Sequence, residues 1–83
     1  MVVRALTPEE QKQAEVTGGV VVQNVGGAAA RAGIQPGDIV LSVNGEPITK
    51  AEQLRALVAK AGKRIALLVQ RGDGRLFVPV DLG

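Results

Sequence analysis

The sequence has no cysteine and no histidine, and Phe77 is its only aromatic residue. Without these side chains the chain cannot form a thiol nucleophile, a Ser/His/Asp triad, a disulfide or a zinc site of the His/Cys type. A single aromatic ring also offers little for stacking against nucleic-acid bases. We therefore expect no catalytic residues, no cofactor, no metal and no nucleic-acid partner. The core must be built from Val, Leu, Ile and Ala.

Long hydrophobic runs are absent as well. The longest apolar run, Ile65 to Val69, has the length of a strand, so no membrane insertion is expected. Residues 1–6 resemble a strand rather than a signal peptide. With 83 residues, 46% hydrophobic and 22% charged, the chain is typical of one small globular domain spanning 1–83.

Charge is nearly balanced overall but is uneven along the chain. The net charge is +2, yet the sequence from 50 to 75 holds seven basic residues and only two acidic ones, Glu52 and Asp73. This excess indicates either a solvated basic face or a surface that steers an anionic ligand such as a peptide carboxylate. The sequence leaves both interpretations open.

The apolar periodicity predicts five short strands, two helices and one helical turn. Thr7 and Glu10 have the spacing of a capping box before the first helix, and Thr49 and Glu52 have it before the second. Pro79 lacks an N–H group, so the last strand should lie at a sheet edge or direct the missing donor outward. The predicted strands are 2–6, 20–25, 38–43, 63–70 and 76–80, the helices are 8–14 and 50–61, and the helical turn is 28–32.

Two turns separate these elements clearly. Pro36-Gly37 is in the order that a type II turn prefers, and Asn44-Gly45 is a tight-turn dipeptide. Asp38 follows the first turn and has no second carboxylate near it in sequence. We therefore expect it to accept turn N–H groups rather than to act as an acid catalyst.

One long stretch carries a family resemblance. Gly19 to Val22, followed by Ala28 to Gly45 with its segments AGIQPGDIV and VNG, strongly resembles the PDZ signature. The strand that would border the peptide groove stands before this signature. That order is similar to the circularly permuted PDZ domains of bacterial HtrA/Deg-type serine proteases. The resemblance implies an α+β, five-stranded, partly open β-sandwich or barrel capped by one main helix and a shorter helix.

The resemblance also implies how such a domain works. An extended peptide adds as a further strand beside an edge strand and a helix, and side-chain pockets provide specificity. Here the groove would lie between the first strand and the helix at 50–61. Met1 and Val3 would line the pocket with Leu54 and Val58, while Ala51 and Arg55 would reach the rim. The full set of implied peptide-binding residues is Met1, Val2, Val3, Arg4, Ala5, Ala51, Leu54, Arg55 and Val58.

Recognition of a peptide C-terminus depends, in that family, on an apolar-Gly-apolar loop before the first strand. Met1 stands at the last apolar position of such a loop, and Arg55 offers a charge-assisted bond to a carboxylate. The implied partners are peptides or unfolded protein C-termini and other domains of the same protease. The implied location is the periplasm or cell envelope.

Two functions remain open at this point. The first is a non-catalytic peptide-binding domain of a larger serine protease. The second is an assembly or regulatory module in which the groove is closed and the surface mediates contacts between protease subunits. An open apolar groove between the first strand and the helix would favour the first.

Overall fold

The computed structural model describes residues 2–81 and contains nine elements in an α+β arrangement. The predicted fold class is confirmed, with six strands rather than five. The strands are β1 (Val2–Ala5), β2 (Val20–Asn24), β3 (Ile39–Val43), β4 (Glu46–Pro47), β5 (Arg64–Arg71) and β6 (Gly74–Asp81); the helices are α1 (Pro8–Ala14), α2 (Gly27–Arg31) and α3 (Ala51–Lys60).

All strands of the described chain belong to one antiparallel sheet. Its order is β1-β2-β3-β5-β6, and β4 pairs with β3 outside this path. β1 and β6 are therefore the two edges of the sheet. β1 lies beside α3, which contacts it.

The core is entirely aliphatic in the described part of the chain, as the composition predicts. Val20, Val40, Leu67 and Val69 have no exposed surface, while Phe77 is 73% exposed. The core also takes one side chain each from β1, α2 and α3, so it joins the sheet to the helices. These three side chains are Val3, Ala29 and Leu54.

The tight turn at Asn44 and Gly45 explains why strand β4, which was not predicted, forms. Asn44 and Gly45 both have positive φ, 50° and 85°, the conformation of the turn that closes a two-residue β-hairpin. The turn therefore folds Glu46 and Pro47 back onto β3. Two residues are too few to give an alternating apolar pattern, so the sequence did not predict this strand.

The predicted cap of α3 is wrong by one residue. The helix begins at Ala51 after Lys50, which keeps an extended backbone, so the reciprocal residue is Gln53 rather than Glu52. The Gln53 Oε1 atom accepts from the backbone N–H groups of Thr49 at 2.7 Å and Lys50 at 3.0 Å. At α1, by contrast, the predicted capping box between Thr7 and Glu10 is confirmed.

Leu6 departs from the predicted alternation of the first strand. It was expected on the same face as Val2 and Arg4, but it is buried while those two residues are exposed. The reason is that β1 ends at Ala5, so the strand period no longer applies at the next residue.

Pro79 lies on the edge strand β6, as predicted. It stands opposite Ala66 of β5, whose backbone N–H and C=O groups bond Asn44 on the β3 side, at 2.8 Å each. Because bonding directions alternate in an antiparallel ladder, Pro79 directs its backbone away from β5. The missing N–H therefore lies on the outer edge of β6.

Candidate functional site

An apolar cavity of about 400 Å³ lies between β1 and α3. Its floor is formed by the core strands β5 and β6, and its far end by the start of α2. The lining residues are Val3, Gly26, Ala28, Ala29, Leu54, Arg55, Val58, Ala59, Ile65, Leu67 and Val80. Arg55 is the only charged residue among them. The cavity is therefore suited to an apolar side chain.

The backbone of β1 is unpaired on the side away from β2, within the described residues. Val3 stands opposite Val22, and Val22 directs its own N–H and C=O toward Asp38 and Gly37 beyond β2. By the alternation of antiparallel bonding, Val3 directs its N–H and C=O outward, and so does Ala5 two residues later. The open edge thus presents hydrogen-bonding groups beside the cavity.

The side chains at the mouth and wall of the cavity differ in exposure. Val3 and Leu54 are buried, at 8% and 3% exposure, and belong to the core as well as to the cavity wall. Val58 is half-buried against the core and also lines the cavity. The exposed Arg55 lies at the mouth. Four of the nine residues implied by the resemblance therefore meet at one cavity.

The other residues of that set lie elsewhere. Ala51 packs against the core at the start of α3 but does not line the cavity. Val2, Arg4 and Ala5 are exposed, and Val2 lies beside Asn24 and Val25 instead. Val2 and Arg4 thus line no part of the cavity, and their backbone groups face β2, whereas Ala5 presents its backbone at the open edge. Met1 lies outside the described residues.

Sequence reasoning missed the part of the cavity that α2, β5 and β6 provide. Ala28 and Ala29 were predicted only as a helical turn held by packing, and Ile65, Leu67 and Val80 only as strand residues. The apolar alternation of the strand residues predicted that they are buried, but it did not predict that they face this cavity. The small side chains at 28 and 29 were the available signal, because alanines leave room where larger residues would fill the space.

Arg4 holds β1 against α1. Its Nη1 and Nη2 atoms donate to the two carboxylate oxygens of Glu10 at 2.7 and 2.8 Å. Glu10 Oε1 also accepts from the Thr7 N–H at 2.9 Å. The Arg4 guanidinium, followed by this backbone bond, lowers the pKa of Glu10 to about 2. The arrangement leaves Arg4 committed to α1 and directed away from the cavity.

Asp38 supports the turn that precedes β3. Its Oδ2 accepts from the Gln35 N–H at 2.9 Å, which confirms its predicted role in the turn. It also pairs with Arg71, whose Nε and Nη2 atoms donate at 2.9 and 2.6 Å, and this partner was not predicted. The Arg71 guanidinium, more than the turn N–H, holds the pKa of Asp38 below its usual range despite burial.

Two further observations concern residues 2–81 alone. Within this range no group of three or more acidic side chains is placed to hold a metal ion. No helix there combines the length and the apolar character that a membrane crossing would need.

Comparison with known proteins places these features in a family. The PDZ domain family matches residues 19–71. The chain is 39% identical, over 96% of its length, to the "Probable periplasmic serine endoprotease DegP-like" of Hahella chejuensis. It covers 18% of that protein, so it spans less than a fifth of such a relative.

Solved structures agree with the fold. The PDZ domain of HtrA3, solved with the phage-derived ligand FGRWV, superposes with a TM-score of 0.85 at 32% identity, covering 98% of this chain and 79% of that one. The HtrA-type protease AlgW with a tripeptide gives a TM-score of 0.85 at 30% identity, covering 99% of this chain and 29% of that one. With an unpaired edge strand, an adjoining helix and an apolar cavity between them, this chain belongs to the PDZ domain family, whose members are non-catalytic modules.

Proposed function

We propose that this domain binds extended or C-terminal peptide segments by strand addition to the open edge of β1. One apolar side chain of the peptide occupies the cavity between β1 and α3. Among the implied residues, Val3, Leu54 and Val58 form the apolar wall, Arg55 lies at the mouth, and the outward-facing backbone groups of Val3 and Ala5 pair with the peptide. Ala51 flanks the groove at the start of α3.

The observation that carries this proposal is the juxtaposition of the open edge and the cavity. Val3 contributes to both, because its side chain lines the cavity while its backbone N–H and C=O face outward. A peptide strand added there alternates its side chains, so every second one faces α3. Main-chain bonds and an apolar anchor are therefore available to the same peptide.

The names of its relatives support a setting for the domain. The HtrA-type proteins similar to this chain are serine proteases, and several are named periplasmic. We propose that the parent protein is a serine protease of the HtrA/Deg type in the periplasm or cell envelope. There the domain would hold unfolded C-terminal segments or contact other domains of the same protease.

An assembly module is the competing function. In that case the cavity would be filled and the outer surface would carry the contacts between subunits. The cavity of about 400 Å³ left by the described side chains favours peptide binding. A peptide titration separates the two functions.

The experiment is an amide-shift titration of the labelled domain. One peptide pool ends in free apolar C-termini, and a matched pool carries the same sequences amidated. We expect shifts confined to residues 1–6 and 51–58, with affinities of roughly micromolar or weaker, since one added strand buries little surface.

The outcomes are distinct. Shifts that disappear on amidation would show a groove that reads the terminal carboxylate. Equal shifts for both pools would show strand addition without carboxylate capture. No shift with either pool would contradict peptide binding and favour the assembly module.

A further inference from the structure

Asn44 is one of two asparagines in the chain, and it is the one that precedes a glycine. Asparagine is thermolabile because the backbone nitrogen of the next residue can attack the carbonyl carbon of its side-chain amide. Gly45 has no side chain to crowd that nitrogen, whereas the other asparagine, Asn24, precedes the branched Val25. Asn44 and Gly45 are also exposed in the turn between β3 and β4, so water reaches them. The turn therefore holds the more reactive of the two asparagines.

In the folded chain the Asn44 side chain is bonded across the sheet to Ala66 of β5. Asn44 Oδ1 accepts from the Ala66 N–H at 2.8 Å, and the Asn44 N–H donates to the Ala66 carbonyl at 2.8 Å. The Asn24 side chain differs, because its Oδ1 accepts from the N–H of the adjacent Val25 at 3.0 Å. Asn44 is thus held by a distant strand, and Asn24 by its own neighbour.

We infer that Asn44 is a deamidation site and that its hydrogen bonds to Ala66 gate the reaction. The attack requires the side chain to rotate until Cγ meets the Gly45 nitrogen, and a side chain bonded at Oδ1 to β5 is not free to rotate. Opening of the pair between Asn44 and Ala66 therefore precedes the reaction. The rate follows the fraction of molecules in which this pair is open. The inference is independent of peptide binding.

The reaction consumes one water molecule and releases one ammonia. The Gly45 nitrogen gives its proton to base and forms a bond to Asn44 Cγ, while the bond from Cγ to Nδ2 breaks and the leaving nitrogen takes up a proton. The product is a cyclic imide. Water opens this ring at either of its two carbonyl carbons. Opening at Cγ gives aspartate, and opening at the main-chain carbonyl carbon gives isoaspartate, in which the chain continues through Cβ and Cγ.

The two products differ in their effect on the sheet. Aspartate keeps the length of the turn and an oxygen that accepts from the Ala66 N–H. Isoaspartate adds one carbon to the backbone, so the turn loses the two-residue geometry that pairs β4 with β3 and places Asn44 beside Ala66. Ala66 lies between Ile65 and Leu67, which line the cavity. Isoaspartate at position 44 therefore loosens β5 at the floor of the cavity.

The test follows both asparagines in the unaltered chain by peptide mass mapping during incubation in mildly alkaline buffer. One sample is folded, in sodium chloride, and the other is unfolded in guanidinium chloride at the same ionic strength. We expect Asn44 to be modified faster than Asn24 in the unfolded sample. Folding should slow the reaction at Asn44 by about tenfold or more, because only the open fraction reacts, and should slow it less at Asn24.

The effect on the sheet is measured by amide exchange of the Ala66 N–H, with the amides of β2 as the reference for the folded state. A sample aged in guanidinium chloride and refolded contains both products, which chromatography separates. The variant Asn44→Asp contains aspartate alone and is the matched control for the added charge. We expect Asn44→Asp to keep the protection of Ala66 within about threefold, and the isoaspartate fraction to lose it by about tenfold or more.

Three results would overturn the inference. Modification of Asn24 ahead of Asn44 in guanidinium chloride would mean that Asn44 is not the reactive site. If folding slowed both asparagines by the same factor, general rigidity rather than Ala66 would protect Asn44. If the isoaspartate fraction kept Ala66 as protected as Asn44→Asp does, the turn would tolerate the longer backbone and the effect on β5 would be absent.

Discussion

Asp38 is a buried carboxylate with one partner in the adjoining turn and another in β5, 33 positions away. Its side chain is 3% exposed, and it bonds the Gln35 N–H and the Arg71 guanidinium, while Arg71 also donates to the Gly33 carbonyl at 2.9 Å. Replacing Asp38 by Asn removes the charge but keeps the shape. Because Arg71 is partly solvated, we expect Asp38→Asn to lower the free energy of unfolding by about 2 kcal/mol, measured by urea denaturation.

The matched control is Asp73→Asn in the exposed hairpin turn between β5 and β6. It removes the same charge from a solvated position and should change stability by less than about 0.5 kcal/mol. Equal effects for the two variants would mean that the pair between Asp38 and Arg71 adds nothing beyond net charge.

Leu54 and Val58 should respond differently to truncation. Leu54 is 3% exposed and belongs to the core, so Leu54→Ala should cost about 3 kcal/mol of stability. Val58 is half-buried at the cavity, so Val58→Ala should cost about 1 kcal/mol and weaken peptide binding instead. Denaturation and peptide titration of both variants check this. Equal stability losses would place Val58 in the core alone.

For single residues, the sequence predicted only contacts between positions that are close together in the chain. The turn role of Asp38 followed from Pro36-Gly37 three positions or fewer away, and the capping box of Thr7 from Glu10. The Arg71 partner of Asp38 is 33 positions away. Only the fold brings that pair together, and no sequence spacing signals it.

Gly19 lies directly before β2, at a position where the neighbouring strands pack closely against the backbone. Its φ is +102°, and a Cβ there would lie 3.0 Å from Ile39 Cγ2 and 3.1 Å from the Val40 carbonyl oxygen. Both the backbone angle and the close contacts disfavour a side chain at this position. We expect Gly19→Ala to lower the free energy of unfolding by about 3 kcal/mol, measured by denaturation.

Gly37→Ala separates the two causes. Gly37 has a similar φ of +94° but open space around a Cβ, so its substitution should cost about 1 kcal/mol, from the backbone angle alone. If Gly19→Ala were no worse than Gly37→Ala, the close approach of β3 to Gly19 would be of no energetic consequence.

Elements were predictable wherever their signal was local and long enough. α1, α3 and the long strands β5 and β6 appear near their predicted positions, since caps, turns and apolar alternation define them. β4 is too short to have a pattern. The sequence also did not predict the hydrogen bond between α1 and β5. In this bond Gln70 Nε2 donates to the Ala14 carbonyl at 2.7 Å, and the two residues are 56 positions apart.

Acid should unfold the molecule, while neutral pH should leave its stability unchanged. The folded state lowers the pKa of Asp38 and lowers that of Glu10 to about 2. Stability from these groups is fully present above their unfolded pKa values near 4 and is lost as the pH falls through the folded values. Because the chain has no histidine, we expect a flat free energy of unfolding from pH 5 to 8 and a decline from about pH 4 toward 2.

Denaturation at fixed ionic strength measures this profile, with Asp38→Asn as the comparison. The variant should start lower at neutral pH and decline less in acid, since one of the two carboxylates whose pKa is lowered in the folded state is gone. A decline between pH 5 and 7, or acid curves that run parallel for the two proteins, would contradict the assignment.

For the whole molecule, the sequence carried the family resemblance, and the resemblance implied that the first strand adjoins the helix at 50–61. It could not predict the cavity. That space depends on Ala28 and Ala29 of α2 meeting Ile65 of β5 and Val80 of β6, which are distant in sequence. Val3, Leu54, Arg55 and Val58 were named beforehand because the family resemblance implies that the first strand and the helix at 50–61 border one groove.

The two edges of the sheet have unequal capacity for pairing. The β1 edge offers N–H and C=O groups from Val3 and Ala5, whereas the β6 edge lacks a donor at Pro79. A sheet that can be extended from both sides propagates from molecule to molecule into a fibre. This sheet can be extended readily from one side, so edge pairing between copies would join two β1 strands and then stop. Crowding would yield closed dimers with blocked grooves rather than growing aggregates.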